Sequence, residues 1–146
     1  MPNWCENDIT IRGSKEVLDN IENIIDQYQK KERDNGLLEF LNPIGEWNWD
    51  KAIREWGTKW EIGKINEVFV TRQQEDTLFL SFWSANSPPV EAYRQGEKKH
   101  DIEITAEWIE YNNAFCGEYK NGEWIDLDIN EHPQYKEWLA EEMEND

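Results

Sequence analysis

The chain has 146 residues with 32 acidic against 15 basic side chains, a formal net charge of −17. That length suits one domain, 1–146, in which folding buries roughly 68–70% of the unfolded surface, and the charge argues against nucleic acid or an anionic membrane, both of which attract Lys and Arg. Only 38% of the residues are hydrophobic, but nine Trp, five Tyr and five Phe predict an aromatic-rich core, since each ring buries about 150–250 Å².

In chain order, residues 4–12 alternate, with Cys5, Asn7, Ile9 and Ile11 on one side and Trp4, Glu6, Asp8, Thr10 and Arg12 on the other, the pattern of a strand. Ser14 is placed to cap a helix carrying Val17, Leu18, Ile21, Ile24, Ile25 and Tyr28 at helical spacing up to about Lys31. Residues 35–63 are irregular: Leu37, Leu38, Phe40 and Leu41, then Pro43, then Trp47, Trp49, Trp56 and Trp60 around a short helix near 50–56. They read as an insertion packed on the core. Glu67–Arg72 and Thr77–Phe82 form a predicted hairpin.

Ser87 before Pro88-Pro89 predicts the cap of a second helix reaching Lys99, weakened by Gly96. Residues 101–111 alternate again, with Ile102, Ile104, Ala106 and Trp108 on one face. Ala114–Tyr119 and Glu123–Ile129 flank Asn121-Gly122, a strong hairpin signal. Pro133 opens a last helix with Tyr135, Trp138, Leu139 and Met143 on one stripe, and its acidic end is expected to fray. The order predicts a ferredoxin-like α+β fold, β-α-β-β-α-β, with a Trp-rich insertion after the first helix and a C-terminal hairpin plus helix over 114–143.

The motif residues resemble a known family. Met1-Pro2-Asn3-Trp4-Cys5 with Asn7, Trp56-Gly57-Thr58-Lys59-Trp60, Phe82 through Ser84-Ala85 to Ser87-Pro88-Pro89, and Glu110 with Phe115 and Gly117 resemble the YubB ferredoxin-like family of bacterial plasmids and phages. Asn86 stands where that pattern has Trp. The resemblance implies the fold and an origin in a mobile element, and it brings no catalytic residue.

Chemistry is sparsely marked. Cys5, His100, Cys116 and His132 are isolated in sequence, whereas zinc needs about four converging ligands, so no metal and no cofactor are expected. The two cysteines read as small buried apolar side chains and the histidines as helix-end residues. No glycine-rich phosphate loop or nucleophile elbow is present. With no signal-peptide pattern and no long apolar run, a soluble cytoplasmic protein is expected.

Residues 101–146 hold 14 acidic side chains against Lys120 and Lys136, so the C-terminal third carries most of the negative field. The leading expectation is a non-enzymatic binding protein that meets a basic host protein surface, in its sharpest form a nucleic-acid mimic inhibiting a nuclease or defence complex. Its contacts would be Glu118, Glu123, Asp126, Asp128, Glu131, Glu137, Glu141 and Glu142. One alternative is an enzyme or small-ligand binder with a pocket between the insertion and the sheet, using Asn7, Trp56, Lys59, Trp60 and Asn86. The other is an oligomeric accessory protein.

Overall fold

The computed structural model describes residues 3–144. Six strands, β1 (Trp4–Gly13), β2 (Phe69–Gln74), β3 (Thr77–Ala85), β4 (Ile102–Glu110), β5 (Phe115–Lys120) and β6 (Glu123–Leu127), form one sheet in the order β2-β3-β1-β4-β5-β6. Every neighbouring pair is antiparallel. Five helices accompany it: α1 (Lys15–Gln29), α2 (Leu37–Leu41), α3 (Trp49–Glu55), α4 (Val90–Lys99) and α5 (Pro133–Glu144). The protein is therefore α+β, and no helix among its described residues is long and apolar enough to cross a membrane.

β1 runs through the middle of the sheet because its alternation suits a face buried on one side: Cys5, Asn7, Ile9 and Ile11 are buried and Asp8 and Arg12 exposed. The same parity continues into β4, where Ile102, Ile104, Ala106 and Trp108 join the core beneath α1 and α4. Ser14 caps α1, its hydroxyl oxygen accepting from Val17 N at 3.2 Å, and Leu18, Ile21, Ile24 and Ile25 are buried. Each such side chain stabilises the fold by about 1.5–3 kcal/mol. The helix stops at Gln29 rather than Lys31, because Lys31 adopts φ +62° and turns the chain.

Other departures from the sequence pattern have a tertiary reason. Leu37–Leu41 becomes a helix, α2, where its apolar run packs against α4. Gly96 is a requirement of that packing, since a Cβ there would stand 2.6 Å from the Leu41 side chain. The Ser87 side chain does not cap α4. The helix starts at Val90 behind Pro89, and Ser87 Oγ donates instead to Gly57 O at 2.5 Å. β2 begins at Phe69 because Gln29 of α1 clamps Val68, accepting from its N–H at 2.7 Å and donating to its carbonyl.

β6 ends at Leu127, two residues before Ile129. Asp128 accepts from Asn130 N at 3.0 Å and starts a 3₁₀ turn, Ile129–Glu131, that buries Ile129 against Ile109 and Cys116. Ile109 pairs with Glu6, which points away from the main core, so this small cluster lies on the opposite face of the sheet. α5 rests there through Tyr135 and Trp138, with Trp138 at 5.4 Å from Tyr111. Only half of the predicted stripe packs: α5 contains no buried residue, and Leu139 and Met143 are exposed.

Candidate functional site

The motif residues converge where β1 and β3 end beside the Trp56–Trp60 segment. Tyr93 OH donates to Asn7 Oδ1 at 2.9 Å, and Asn7 Nδ2 donates to Ser84 Oγ at 2.9 Å and to Cys5 O at 3.1 Å. Ser84 Oγ passes the chain on by donating to Ser87 O at 2.7 Å, and Thr58 Oγ1 donates to Ala85 O at 2.8 Å. Gly57 has φ +92° and lies against the Pro88 carbonyl, where a side chain would be strained. The buried polar groups of this network satisfy one another, so it latches the insertion onto the sheet. Asn7 is therefore structural, and Asn86, at φ +67°, accepts from Asn3 N through its side chain at 2.9 Å.

Beyond the latch, Trp56 and Trp60 line a cavity of about 350 Å³ with Tyr28, Trp47, Glu39 and Glu61. Trp56 is buried and its indole N–H donates to Asn42 O at 2.8 Å. Trp47 is 53% exposed, yet its indole N–H is held by Lys59 O at 2.9 Å. Trp49 is exposed also, so of the four tryptophans in the insertion Trp56 is buried, Trp60 half-buried and the other two face solvent. The Lys59 ammonium stands 4.8 Å from the Trp60 ring centre, a cation–π contact outside the cavity wall.

Glu61 organises this region. Its Oε1 accepts from Leu38 N at 2.8 Å and Ile62 N at 3.1 Å, and its Oε2 accepts from Glu39 N at 3.0 Å. It thereby caps α2 from 23 residues away in sequence. Burial pushes its carboxyl up to about 7 against the pull of those N–H donors. Glu39 in turn accepts from Ile44 N and Gly45 N. Neither carboxylate carried a sequence signal, because a cap reaching across the chain has no periodicity.

The face of the sheet turned away from the main core, uncovered except where the 3₁₀ turn and α5 rest, is divided in two. On the β2–β3 side Phe69 and Trp83 are exposed, 62% and 44%, around a hollow of about 320 Å³ with Ser81. On the β1–β4–β5 side Asp8 lies directly opposite Glu107, and Glu107 directly opposite Glu118. Among the described residues none of the three is ion-paired, and no group of His, Cys, Asp or Glu is placed to hold a metal. Like charges facing each other across strands destabilise a sheet. Glu6, at the edge of this row, is held above the ordinary carboxyl range by burial and accepts from Tyr111 OH.

The eight carboxylates proposed from sequence as contacts do not share one face. Glu118 and Glu123 point to the uncovered side, whereas Asp126 lies on the reverse of β6, accepting from Trp124 Nε1 at 2.6 Å. Asp128 is engaged in the 3₁₀ turn, and Glu131 stands 3.9 Å from Lys136. Glu137, Glu141 and Glu142 are exposed on α5. The structure thus joins Glu118 to Asp8 and Glu107, distant in sequence, rather than to Asp126.

These features define an α+β protein with a six-stranded antiparallel sheet and five helices. No family model matches the chain, and no curated protein matches it. Among solved structures, the chain is similar to protein api92 from Yersinia pseudotuberculosis, of the family model DUF1281, with a TM-score of 0.54 and 11% identity. The match covers 86% of this chain and 97% of that one. At that identity the likeness is one of fold alone.

Proposed function

We propose that this chain is a non-enzymatic binding protein whose carboxylate-bearing sheet face and C-terminal segment receive a basic protein surface. The observation that carries the reading is the row Asp8, Glu107 and Glu118, three like charges opposed on neighbouring strands with no ion-pair partner among the described residues. Such a row costs the isolated fold stability, and a cationic partner turns the cost into attraction and faster encounter. Phe69 and Trp83 beside it add the aromatic area typical of interface cores. Exposed acids at Glu123, Glu137, Glu141 and Glu142 extend the field around the sheet edge.

On the same reading β1, α1, β2, β3, α4 and β4 form a ferredoxin-like core, supported by the order β2-β3-β1-β4 with β3 and β4 flanking β1. Residues 35–63 are then its insertion and 114–143 its appendage. The motif residues quoted above support membership of the YubB-like family of plasmids and phages, and such an origin favours a host nuclease or defence complex as the partner, with the acidic surface standing in for nucleic acid.

The test is capture from bacterial lysate by the full chain and by the variant Asp8→Asn/Glu107→Gln/Glu118→Gln. The wild type is expected to retain a basic protein that elutes between about 0.1 and 0.5 M salt, and the variant to lose it while gaining about 0.5–1 kcal/mol of stability. Undiminished capture by the variant, or no salt-eluted partner at all, overturns the proposal.

A further inference from the structure

The cavity beneath Trp47 and Trp60 lies outside the acidic face and has walls that select one kind of guest. Its aromatic lining is Tyr28, Trp47, Trp56 and Trp60, and its volume of about 350 Å³ falls in the range of small-molecule sites. The indole N–H groups of Trp47 and Trp56 are engaged by the carbonyls of Lys59 and Asn42. These two rings therefore contribute apolar and π surface but no free donor for an anion or a carbonyl.

The charge in the wall is negative. Glu39 and Glu61 both line the cavity, while the exposed pair Asp34 and Lys64 is of opposite sign. The carboxylates disfavour an anion. Among cations, a primary ammonium brings three N–H donors and a guanidinium five, each needing an acceptor. Here both oxygens of Glu61 already receive backbone N–H groups from Leu38, Glu39 and Ile62, and both oxygens of Glu39 receive Ile44 N. Asp34 and Asn35 add polar groups to the wall, but the four aromatic rings make up its largest side chains, and such π surface suits a cation that needs no hydrogen bonds, bound by field and dispersion. Lys59 shows that Trp60 attracts positive charge, its ammonium lying 4.8 Å from the ring centre.

We propose that this cavity binds a small quaternary ammonium ion, the trimethylammonium type of group on a free small molecule, held against Trp47, Trp56 and Trp60 with Glu39 and Glu61 supplying the field. Trp47, half exposed, is the element of the wall through which the guest enters contact with solvent. The latch around Thr58 and Ser87 keeps the rings in place before the guest arrives, which lowers the ordering cost of binding.

The experiment titrates tetramethylammonium into the full chain at about pH 8, above the Glu61 value of about 7, and follows the indole N–H signals by ¹H–¹⁵N spectroscopy. Saturable shifts are expected at Trp47, Trp56 and Trp60, with Trp83 and Trp124 unmoved. Methylammonium and neopentyl alcohol, a neutral analogue with the same branched methyl cluster and one added hydroxyl, should each bind at least about tenfold more weakly, the scale of one desolvated cation–π contact. Trp47→Ala should weaken binding by a similar factor while its amide spectrum stays folded, and Trp47→Phe should recover part of the loss. Three results overturn the proposal: no saturation up to about 50 mM, beyond the millimolar range; equal binding of neopentyl alcohol or methylammonium; or unchanged affinity in Trp47→Ala.

Discussion

The segment from 35 to 63 and the segment after β6 are both additions beside the central strands, and they are held in opposite ways. The first is tied down by directed bonds: Thr58 to Ala85, Ser87 to Gly57, Trp56 to Asn42, and Glu61 across to α2. The second leans on aromatic contacts of Tyr111, Tyr135 and Trp138 around the small Ile109–Cys116–Ile129 cluster, and its helix buries nothing fully. An irregular segment with many long-range bonds is thus more firmly placed than a regular helix with few. Regularity of secondary structure is a poor guide to local stability, which follows buried contacts.

The largest expected effect tests that contrast directly. Trp56→Ala should cost about 3–5 kcal/mol in chemical denaturation, the range for emptying a buried aromatic site, whereas Trp138→Ala should cost no more than about 1 kcal/mol. Comparable losses for the two would erase the distinction.

A smaller effect sharpens it through pH. In the unfolded chain Glu61 ionises near its ordinary value of 4.5, and in the folded protein burial keeps it protonated up to about 7. The folded state therefore binds more protons between those values, and the stability Glu61 contributes at acid pH is lost as pH rises through 7. The difference between wild type and Glu61→Gln, measured by denaturant midpoints from about pH 4 to pH 8, should change by up to roughly 3 kcal/mol. A flat difference would show that Glu61 titrates normally and that its N–H donors offset its burial.

Gly96 supplies the finest probe. Alanine is the better helix former by about 1 kcal/mol, so Gly96→Ala should stabilise α4 if only local propensity counts. Its Cβ would meet Leu41 at 2.6 Å, and overpacking of that kind costs about 1–3 kcal/mol. Net destabilisation, with altered hydrogen exchange in α2, is the expected outcome.

Parts of the candidate sites were legible in the residues and parts were not. Trp56 and Trp60 line a cavity, but its walls come from the insertion, Tyr28 of α1 and the loop to Ile65, not from the sheet against which a pocket is expected. Asn7 and Asn86, polar residues near them in space, turned out to be bonded within the protein, and a sequence does not reveal whether an amide is already satisfied. Glu61 and Glu39 went unseen because their partners are backbone N–H groups, which every residue has. Alternation along β1 and β4 turns Asp8 and Glu107 away from the core, but their alignment with Glu118 depends on register, and register follows from the pairing of all three strands.

What the residue pattern alone determined is the set of elements with a clear period: the alternation of β1 and β4, the Ser14-capped stripe of α1, and the Asn121-Gly122 hairpin with both residues at positive φ. Those features are local, since side-chain direction repeats every 2 or 3.6 residues whatever the rest of the chain does. Tertiary structure decided the existence of α2, the need for glycine at 96, the ends of β2 and β6, and which carboxylates stand together. Most of these depend on a partner outside the segment itself, so the free energy belongs to the contact and is written in neither segment alone.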